Sequence, residues 1–309
     1  MSIPMKKIKI IINPKSGLPK SLKLLERWIH EILTGANIPF DISYTQKPGE
    51  ATELAKESVL QKYSIVAAVG GDGTINEAAS GLVNSDTALA IIPAGSGNGM
   101  AHNLKIPANK KEALKLLIEP TVVKLDVGQI NDHYFFNVTG FGMDSEISNN
   151  YERFGIRGPL SYFYVGTSTF FKFKSKPVTI KFDNQEIKSS PMVVTVANSP
   201  EYGVGAIIAP SAVPNDGWLD LVILDPLSVW KAIRHVYRLF NGKIASLKEY
   251  HHYRVKTVEI FREEPGNIEI DGNPHLEDKN LKIKILPRRI NVVVSNHFLR
   301  NQSTSDRID

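Results

Sequence analysis

Hydrophobic residues in the first third of the chain follow two alternating periodicities, and no other sequence feature limits the possible folds as strongly. Short apolar runs typical of buried strands occupy residues 7–12, 40–44, 65–69 and 89–92. Apolar residues recur at the three- and four-residue spacing of helices over residues 21–33, 51–63, 75–83 and 111–118. Strands that alternate with helices in this way predict a parallel sheet with helices on its faces.

The pattern changes near Pro120, after which short strands and tight turns dominate. Asn131-Asp132 and Asp183-Asn184 are residue pairs typical of two-residue hairpin turns. The predicted strands are residues 123–130, 134–138, 178–182, 186–189, 192–197, 218–224, 256–261, 268–270 and 281–286. Helical spacing interrupts them at 162–173 and 228–240. This pattern is typical of an antiparallel sandwich or barrel.

A chain of 309 residues usually forms two domains, because a single core stops growing near about 250–300 residues. We therefore predict an α/β plus β architecture. Residues 1–124 would form a doubly wound parallel-sheet domain, and residues 125–287 an antiparallel β-sandwich domain. A late strand at 289–294 could return to the first sheet, so that residues 288–309 complete the first domain.

Composition narrows the range of functions. The absence of cysteine excludes disulfides, thiolate metal sites and a cysteine nucleophile. No signal-peptide core and no run of about 18 apolar residues occurs, so we expect a cytoplasmic protein, with peripheral association at the inner membrane face left open. The net charge of +5 suits an anionic nucleotide or an acidic membrane surface, or serves solubility alone. The absence of a clustered basic helix argues against nucleic acid.

The strongest local motif is GGDGT at residues 70–74, between an apolar strand and a helix. Glycine lets the backbone approach a bound group closely, and free N–H groups at a helix start attract phosphate. Asp72 would lie where a metal–phosphate complex or a reacting hydroxyl arrives. The alternative is an ordinary strand–helix turn with an aspartate cap.

Two further turns follow predicted strands at the same sheet edge. Residues 93–99 read PAGSGNG, in which Ser96 and Asn98 add hydroxyl and amide groups beside exposed backbone N–H groups. Residues 13–17 read NPKSG and follow the first strand. The carboxyl ends of strands in open α/β sheets are where ligands bind, so these turns predict one binding crevice. The spacing of a Walker loop is absent.

In order and spacing, the motifs resemble those of the diacylglycerol kinase catalytic domain family, which includes bacterial diacylglycerol kinases, related lipid kinases, and sphingosine and ceramide kinases. The resemblance runs from about residue 7 to about residue 294. Its landmarks are NPKSG, GGDGT with Asn76 and Glu77, PAGSGNGMA, LDVG at 125–128, GFGMD at 140–144, DGWLD at 216–220 and IDG at 270–272.

The resemblance implies ATP as phosphate donor and a lipid hydroxyl, diacylglycerol- or sphingoid-like, as acceptor at a membrane surface. Asp72 would meet the γ-phosphate or act as base. The residues implied or expected to hold the nucleotide are Asn13, Pro14, Lys15, Ser16, Gly17, Thr45, Gly70, Gly71, Asp72, Gly73, Thr74, Gly95, Ser96, Gly97 and Asn98.

Two other positions take roles from the resemblance. Asp144 matches an acidic residue that meets the lipid headgroup in sphingosine kinases, although a solvated or capping aspartate is the alternative. Asp216 matches a structural Mg²⁺ site, in which Val213 and Trp218 would add backbone carbonyls. An ordinary Asp-Gly turn without an ion is equally compatible with the pattern.

Two departures from the family pattern bear on activity. Where the family has Asp-Gly-Glu, with the glutamate as proposed base, this chain has Asp271-Gly272-Asn273, and an amide cannot accept a proton at neutral pH. Either Asp72 is the base, or Asp271 assists, or activity is weak or lost. The second departure is GSGNG at 95–99, which is nearer the sphingosine kinase version and makes diacylglycerol a less secure acceptor.

Several interpretations therefore remain open. One alternative function is a lipid- or nucleotide-binding homologue without catalysis, and another is an NAD kinase-like or phosphofructokinase-like enzyme that uses the GGDG loop on a soluble acceptor. Aromatic and basic residues mix at 162–173 and again in Trp230, Arg234, His235, Tyr237 and Arg238. Such a stripe is either core, the more frequent case, or a membrane-contacting element. We interpret the adjacent pair His251-His252 as exposed loop.

Overall fold

The computed structural model describes residues 7–16, 19–143, 145–146, 173–203 and 205–299. The chain divides into two compact units. The first comprises the residues up to Leu125 together with those from Arg288 on, and the second comprises Asp126–Pro287.

The first unit contains a parallel sheet of strands β1 (Ile8–Ile12), β2 (Phe40–Tyr44), β3 (Ile65–Gly70) and β4 (Ala88–Pro93). Their order is β2-β1-β3-β4, and all neighbours are parallel. Every residue of β3 and β4 is buried, as expected for parallel strands covered on both faces. The predicted parallel sheet is confirmed.

Helices follow these strands as the sequence predicts. They are α1 (Pro19–Gly35), α2 (Glu50–Leu60), α3 (Asp72–Leu82), α4 (Gly99–Asn103) and α5 (Lys110–Lys115). Leu25, Ile29 and Leu33 of α1 are buried at four-residue spacing. Helix α3 starts three residues earlier than predicted, so Asp72 stands in its first turn. Since the carboxylate then lies at the positive end of the helix dipole, that position favours an acid.

The second unit is built from antiparallel strands. They are β5 (Thr121–Ile130), β6 (His133–Phe135), β7 (Val138–Gly142), β8 (Val178–Phe182), β9 (Gln185–Ser189), β10 (Val193–Ala197), β11 (Leu219–Leu224), β12 (Tyr250–Val255), β13 (Thr257–Arg262), β14 (Gly266–Ile270), β15 (Asn273–Glu277) and β16 (Asn280–Val294). Strand β5 starts in the first unit, and β16 ends there, where Asn291 and Val292 pair in parallel with β4.

Two sheets enclose the core of the second unit. One has the order β12-β11-β10-β7-β14-β15, and the other includes β13, β8 and β9 with the first part of β16. A single buried cluster takes Val194 and Leu221 from the first sheet and Ile180, Ile260 and Ile283 from the second. This arrangement confirms the predicted antiparallel sandwich.

Both predicted hairpins form. Ile130 pairs with His133 across Asn131-Asp132, and Phe182 pairs with Gln185 across Asp183-Asn184. Asp183 and Asn184 both have positive φ, 42° and 62°, which is the backbone of a type I′ turn.

Some predicted boundaries are wrong. The predicted strand 134–138 overlaps β7 only at Val138. Strands β12 and β15 were not predicted at all, and His251-His252 lies on β12, where a loop was expected. These two strands are the edges of their sheet, and edge strands tolerate polar residues and proline that obscure the hydrophobic alternation. Residues 281–286 and 289–294 form one strand, β16, which continues through Pro287 with Arg288 at a φ of 54°.

The predicted helical stretch at 228–240 forms two short helices, α6 (Val229–His235) and α7 (Tyr237–Phe240). The Ser228 hydroxyl caps α6 by accepting the Lys231 N–H at 3.4 Å. The other predicted stretch, residues 162–172, lies outside the described residues, and Phe173 is described without helix. In the described part of the chain, no helix combines the length and hydrophobicity needed to cross a membrane.

A close contact between β5 and β6 generates a stability prediction. A Cβ on Gly128 would lie 2.1 Å from the ring of Phe135, its cross-strand partner, which is completely buried. We expect Gly128→Ala to lower the free energy of unfolding by about 1–3 kcal/mol, because the ring must leave its packed position. Urea denaturation measures the change. Gly35→Ala is the control, since a Cβ there meets nothing within 4 Å; equal effects would contradict the prediction.

Candidate active site

The two glycine-rich turns of the first unit touch through their backbones. The Ala94 N–H donates to the Gly70 carbonyl at 2.8 Å. A Cβ on Gly95 would lie 2.5 Å from the Gly71 Cα. Because real Cβ atoms do not come that close to backbone, a side chain at Gly95 would push the turns apart. The glycines therefore set the spacing between the carboxyl ends of β3 and β4.

Asp72 lies where these turns meet. Its Oδ1 accepts the Gly99 N–H at 2.6 Å, at the start of α4. A Cβ on Gly97 would lie 2.7 Å from its Oδ2. Burial raises the pKa of the Asp72 carboxyl, while the N–H groups of Gly99 and Asn98 act in the opposite direction. An acid with a raised pKa at the carboxyl edge of a parallel sheet is suited to exchange a proton with a ligand.

Asn98 shapes the second turn. It adopts the left-handed conformation, with a φ of 50°, and forms reciprocal hydrogen bonds with Gly95. The Gly95 N–H donates to Asn98 Oδ1 at 2.9 Å, and Asn98 Nδ2 donates to the Gly95 carbonyl at 2.8 Å. Ser96, at the tip of this turn, is exposed. Asn98 thus holds the loop, while Ser96 is accessible to a ligand.

Asn13 connects the NPKSG turn to the GGDGT turn. Its N–H donates to the Val69 carbonyl at 3.0 Å, and its Nδ2 donates to Thr74 Oγ1 at 2.9 Å. Its Oδ1 accepts the Lys15 N–H at 3.0 Å. Thr74 itself is buried against Gly70, where a Cβ would lie 2.5 Å from the threonine Cβ.

The remaining predicted nucleotide residues lie near these turns. Pro14 and Lys15 are exposed, Ser16 and Gly73 are half-buried, and Gly17 lies outside the described residues. The Thr45 N–H donates to the Ile12 carbonyl at 2.9 Å, which places Thr45 at the carboxyl end of β2 beside β1. The first unit therefore brings its described candidates to neighbouring strand ends of one sheet edge.

Asp271 of the second unit is buried, and backbone groups surround its carboxylate. Oδ2 accepts the Phe136 N–H at 2.9 Å, and Oδ1 accepts the N–H groups of Asn137 at 2.8 Å and Val138 at 3.1 Å. Asp271 and Gly272 form the two-residue turn between β14 and β15, with φ angles of 47° and 84°. These contacts give Asp271 a structural function that the sequence did not reveal.

A second buried acid, Glu269, was missed by the sequence analysis. It is 2% exposed, and its Oε1 accepts the Gly272 N–H at 2.6 Å. The signal available was a glutamate inside the otherwise apolar run 268–270, two residues before Asp271. Asn273, which replaces the family glutamate, donates to the Asp271 carbonyl at 3.4 Å.

Asp144, the predicted lipid-headgroup residue, lies outside the described residues. Gly142 and Ser145, which precede and follow it, are hydrogen-bonded to each other. Ser145 Oγ donates to the Gly142 carbonyl at 3.0 Å, and the Gly142 N–H donates to Ser145 Oγ at 3.3 Å. Gly142 has a φ of 118°, which favours glycine, and a Cβ there would lie 2.4 Å from the Met192 carbonyl oxygen.

The predicted magnesium ligands Val213, Asp216 and Trp218 lie on the turn before β11. The Asp216 carboxylate accepts the Trp218 N–H at 3.0 Å and pairs with the Arg254 guanidinium. The Val213 carbonyl accepts the Asn215 N–H at 2.9 Å. Burial raises the pKa of Asp216, and the nearby carboxylates of Asp220 and Asp126 raise it further. Such an environment favours a cation beside the Asp216 carboxylate.

Arg254 already supplies that cation, and an ion at Asp216 would have to displace it. Within the described ranges, no three His, Cys, Asp or Glu side chains are grouped to hold a metal. A site built from one carboxylate and two backbone carbonyls would not form such a group, so the Mg²⁺ site stays a prediction, and we derive no reaction step from it.

His252, expected in an exposed loop, faces Asp220 on the neighbouring strand. Its Nε2 lies 2.5 Å from Asp220 Oδ1 and 3.3 Å from Ser211 Oγ. A catalytic triad requires the acid and the serine on opposite ring nitrogens, whereas here both meet Nε2. The group is consistent with a structural contact and not with a nucleophile.

An α/β unit with glycine-rich strand ends, and a second unit that is an antiparallel sandwich, define the architectural class. Two family models match this chain. Residues 7–130 match the diacylglycerol kinase catalytic domain, and residues 137–294 match the YegS C-terminal NAD kinase beta sandwich-like domain. The chain therefore belongs to the lipid kinase family that combines these two domains.

Individual relatives agree with this assignment. A diacylglycerol kinase of Bacillus subtilis is 29% identical over 280 residues, covering 87% of this chain and 90% of that protein. A "probable lipid kinase YegS-like" protein of Pseudomonas putida is 29% identical over 258 residues, covering 82% and 84%.

Solved structures show the same fold. The crystal structure of a diacylglycerol kinase from Bacillus anthracis has a TM-score of 0.76 at 24% identity, covering 96% of this chain and all of that one. An NAD kinase from Archaeoglobus fulgidus in complex with ATP has a TM-score of 0.53 at 14% identity, covering 97% and 98%.

The contacts of Asp271 generate the second prediction. We expect Asp271→Asn to lower the free energy of unfolding by about 2–4 kcal/mol, because the amide nitrogen cannot accept the N–H groups that the carboxylate accepts. Urea denaturation followed by circular dichroism measures this. Asp183→Asn is the matched control, since asparagine suits the exposed turn at a φ of 42°. If both variants are as stable as the wild type, the hydrogen bonds of the Asp271 carboxylate do not stabilise the fold.

Proposed function

We propose that the protein is an ATP-dependent lipid kinase, which transfers the γ-phosphate of ATP to the hydroxyl of a diacylglycerol- or sphingoid-like lipid. The observation that carries the proposal is the meeting of the two glycine turns at Asp72, on the carboxyl edge of the parallel sheet. Membership of the lipid kinase family supports the reaction class. Similarity to a fold that was crystallised with ATP in an archaeal NAD kinase is compatible with ATP as the donor.

In this proposal the nucleotide binds at the three neighbouring strand ends. Backbone N–H groups on these turns, such as those of Gly73, Ser96 and Gly97, donate to phosphate oxygens, since glycines leave the backbone accessible. The exposed hydroxyl of Ser96 and the exposed ammonium of Lys15 lie on the same turns and would add a donor and a positive charge. Asn13 and Thr45 position the first turn and the end of β2.

The proposed reaction is an in-line displacement. The acceptor hydroxyl oxygen attacks the γ-phosphorus, the bond to the β,γ-bridging oxygen breaks, and ADP leaves with that electron pair. The hydroxyl proton passes to the Asp72 carboxylate, whose raised pKa makes it a better base than an ordinary aspartate. Magnesium enters as part of the ATP complex, and the structural magnesium site at Asp216 stays a prediction.

Asp271 has a smaller part in the proposal than the sequence suggested. Its carboxylate oxygens accept three backbone N–H groups, which hold the carboxylate in place. We therefore infer that it supports the reaction by holding the Asp271-Gly272 turn. Asp144 is retained as the candidate headgroup residue.

One observation favours a second candidate function, a binding homologue without turnover. Asn273 stands where the family has a glutamate, and its amide hydrogen-bonds to a backbone carbonyl. An amide cannot serve as base at this position. The kinase proposal therefore depends on Asp72 alone for proton removal, which is what the following experiment tests.

The test is a phosphorylation assay with γ-labelled ATP, magnesium and mixed micelles that hold diacylglycerol, monoacylglycerol, phosphatidylglycerol, sphingosine or ceramide. We expect label in one lipid, and we expect Asp72→Asn to lower kcat by at least about 100-fold, since a general base contributes that much. The variant should be as stable as the wild type or more so at pH 7, because burial disfavours the charged carboxylate.

Ser96→Ala is the control for this assay, because it alters an exposed hydroxyl on the same loop without touching the proton acceptor; we expect a change in the KM for ATP and a smaller change in kcat. Faster labelling of NAD or fructose 6-phosphate than of any lipid would contradict the lipid kinase. ATP binding with no labelled product in the panel would favour the binding homologue.

The raised pKa of Asp72 also predicts the pH dependence. A base must be deprotonated, so kcat/KM should fall as the pH drops through the pKa of Asp72. Because burial raises this pKa above the ordinary 3.8, the acid limb should lie above that of an exposed aspartate. A pH profile of kcat/KM measures this. A flat profile down to the pH at which the protein unfolds would exclude Asp72 as the base.

A further inference from the structure

Helices α6 and α7 present large apolar side chains to solvent. The exposed fractions are 82% for Trp230, 62% for Ile233, 50% for Val236, 52% for Tyr237 and 58% for Phe240. The core interpretation of this stretch is therefore wrong for Trp230 and Tyr237. Scattered exposed apolar residues are ordinary, but five within eleven consecutive residues form a patch that calls for a partner.

The two helices act as one surface. Val236, between them, has helical backbone angles, and its N–H donates to the Ala232 carbonyl at 2.8 Å. Residues 229–240, named here the amphipathic segment, therefore follow a nearly continuous helical path. At about 100° per residue, its exposed apolar side chains fall within a sector of about 120°. Leu239, about 60° beyond the Val236 edge of this sector, packs against a core cluster of the second unit.

A basic flank borders the apolar sector. Arg234 is exposed, Lys231 pairs with Glu249, and Arg238 donates to Ser246 at 2.6 Å. On the same helical projection, the three cations lie between the apolar sector and the buried side. Residues 228–246 contain no acidic residue, and Lys243 adds a further exposed cation.

We propose that the amphipathic segment docks the protein on the surface of an anionic lipid bilayer. Trp, Tyr and Phe side chains with an adjoining row of Lys and Arg are the composition of helices that lie in the membrane interface. The apolar side chains enter the acyl boundary, and the cations meet lipid phosphates. The charge selects this occupant, because the positive charges of Arg234, Arg238 and Lys243 beside the apolar sector are complementary to anionic headgroups.

The proposal rests on the proposed function in one respect, since a lipid acceptor gives the enzyme a reason to visit a bilayer. Docking itself is independent of phosphoryl transfer. No residue of the amphipathic segment is among the nucleotide, catalytic or headgroup candidates, so binding and turnover can be separated by mutation.

The experiment is co-sedimentation of the full chain with vesicles of phosphatidylcholine alone or mixed with phosphatidylglycerol. We expect binding to the anionic vesicles, weakening as salt is raised. The double variant Trp230→Ala/Phe240→Ala should bind them at least about tenfold more weakly, because it lacks the two rings that enter the acyl boundary of the bilayer. Arg234→Gln should weaken binding to the anionic vesicles and leave binding to phosphatidylcholine unchanged. Leu276→Ala is the matched control, because Leu276 is 77% exposed but lies outside the segment.

Tryptophan fluorescence supplies a second readout that folding defects cannot imitate. The wild type should show a blue shift on anionic vesicles, and Trp230→Phe should lose it while Trp28 and Trp218 still fluoresce. Equal binding by the double variant and the wild type would overturn the proposal. A wild-type dimer in solution that the double variant dissolves would also overturn it, because a second copy would then cover the patch.

Activity assays distinguish failure of this proposal from failure of the proposed function. The double variant should phosphorylate a dispersed short-chain lipid as fast as the wild type and a long-chain lipid in anionic vesicles at least about tenfold more slowly, in step with its lost binding. If docking follows the expected pattern but no lipid is ever phosphorylated, the kinase proposal fails and docking stands. If the double variant turns over both lipids like the wild type, docking fails and the kinase stands.

Discussion

The contact between the backbones at Gly71 and Gly95 is the constraint on which the candidate site depends. Two strand ends can approach this closely only where neither carries a Cβ, and their approach brings Asp72 against the start of α4. The N–H groups at the start of α4 thereby hold the Asp72 carboxylate at the edge of the sheet where we propose that it accepts a proton. Any side chain at Gly95 would alter both at once.

The half-buried Asp72 and the buried Asp271 illustrate how environment decides what a carboxylate does. Asp72 receives a hydrogen bond from Gly99, but burial dominates and its pKa is raised. Asp271 accepts three backbone N–H groups, which tie it to the segment that leads into β7. The same residue type therefore makes architectural contacts at Asp271, whereas at Asp72 we propose a chemical role. A residue type and a family pattern alone do not separate these cases, because the difference lies in the N–H groups that surround each carboxylate.

The second unit also shows where a sandwich tolerates exceptions to the hydrophobic pattern. Its central strands are almost wholly apolar, whereas the edge strands β12 and β15 carry histidine, arginine, asparagine and proline. Edge positions accept these residues because one side of the strand needs no hydrogen-bond partner and polar groups discourage unwanted pairing. The exposed face of α6 and α7 is a different exception, since its apolar residues follow helical spacing yet do not enter the core.

The sequence by itself determined the alternation of strands and helices in the first unit, the change from parallel to antiparallel architecture, both predicted hairpins and the three turns that converge on one sheet edge. These depend on local periodicity and on glycine, which short stretches of chain specify. Only the tertiary structure decided that Gly71 and Gly95 touch, that Asp271 is an anchor, that His252 faces Asp220, and that Trp230 and Tyr237 lie outside the core. Each of these contacts depends on residues far apart in the chain. An amphipathic helix has the same sequence pattern whether its apolar side packs against a sheet or faces solvent.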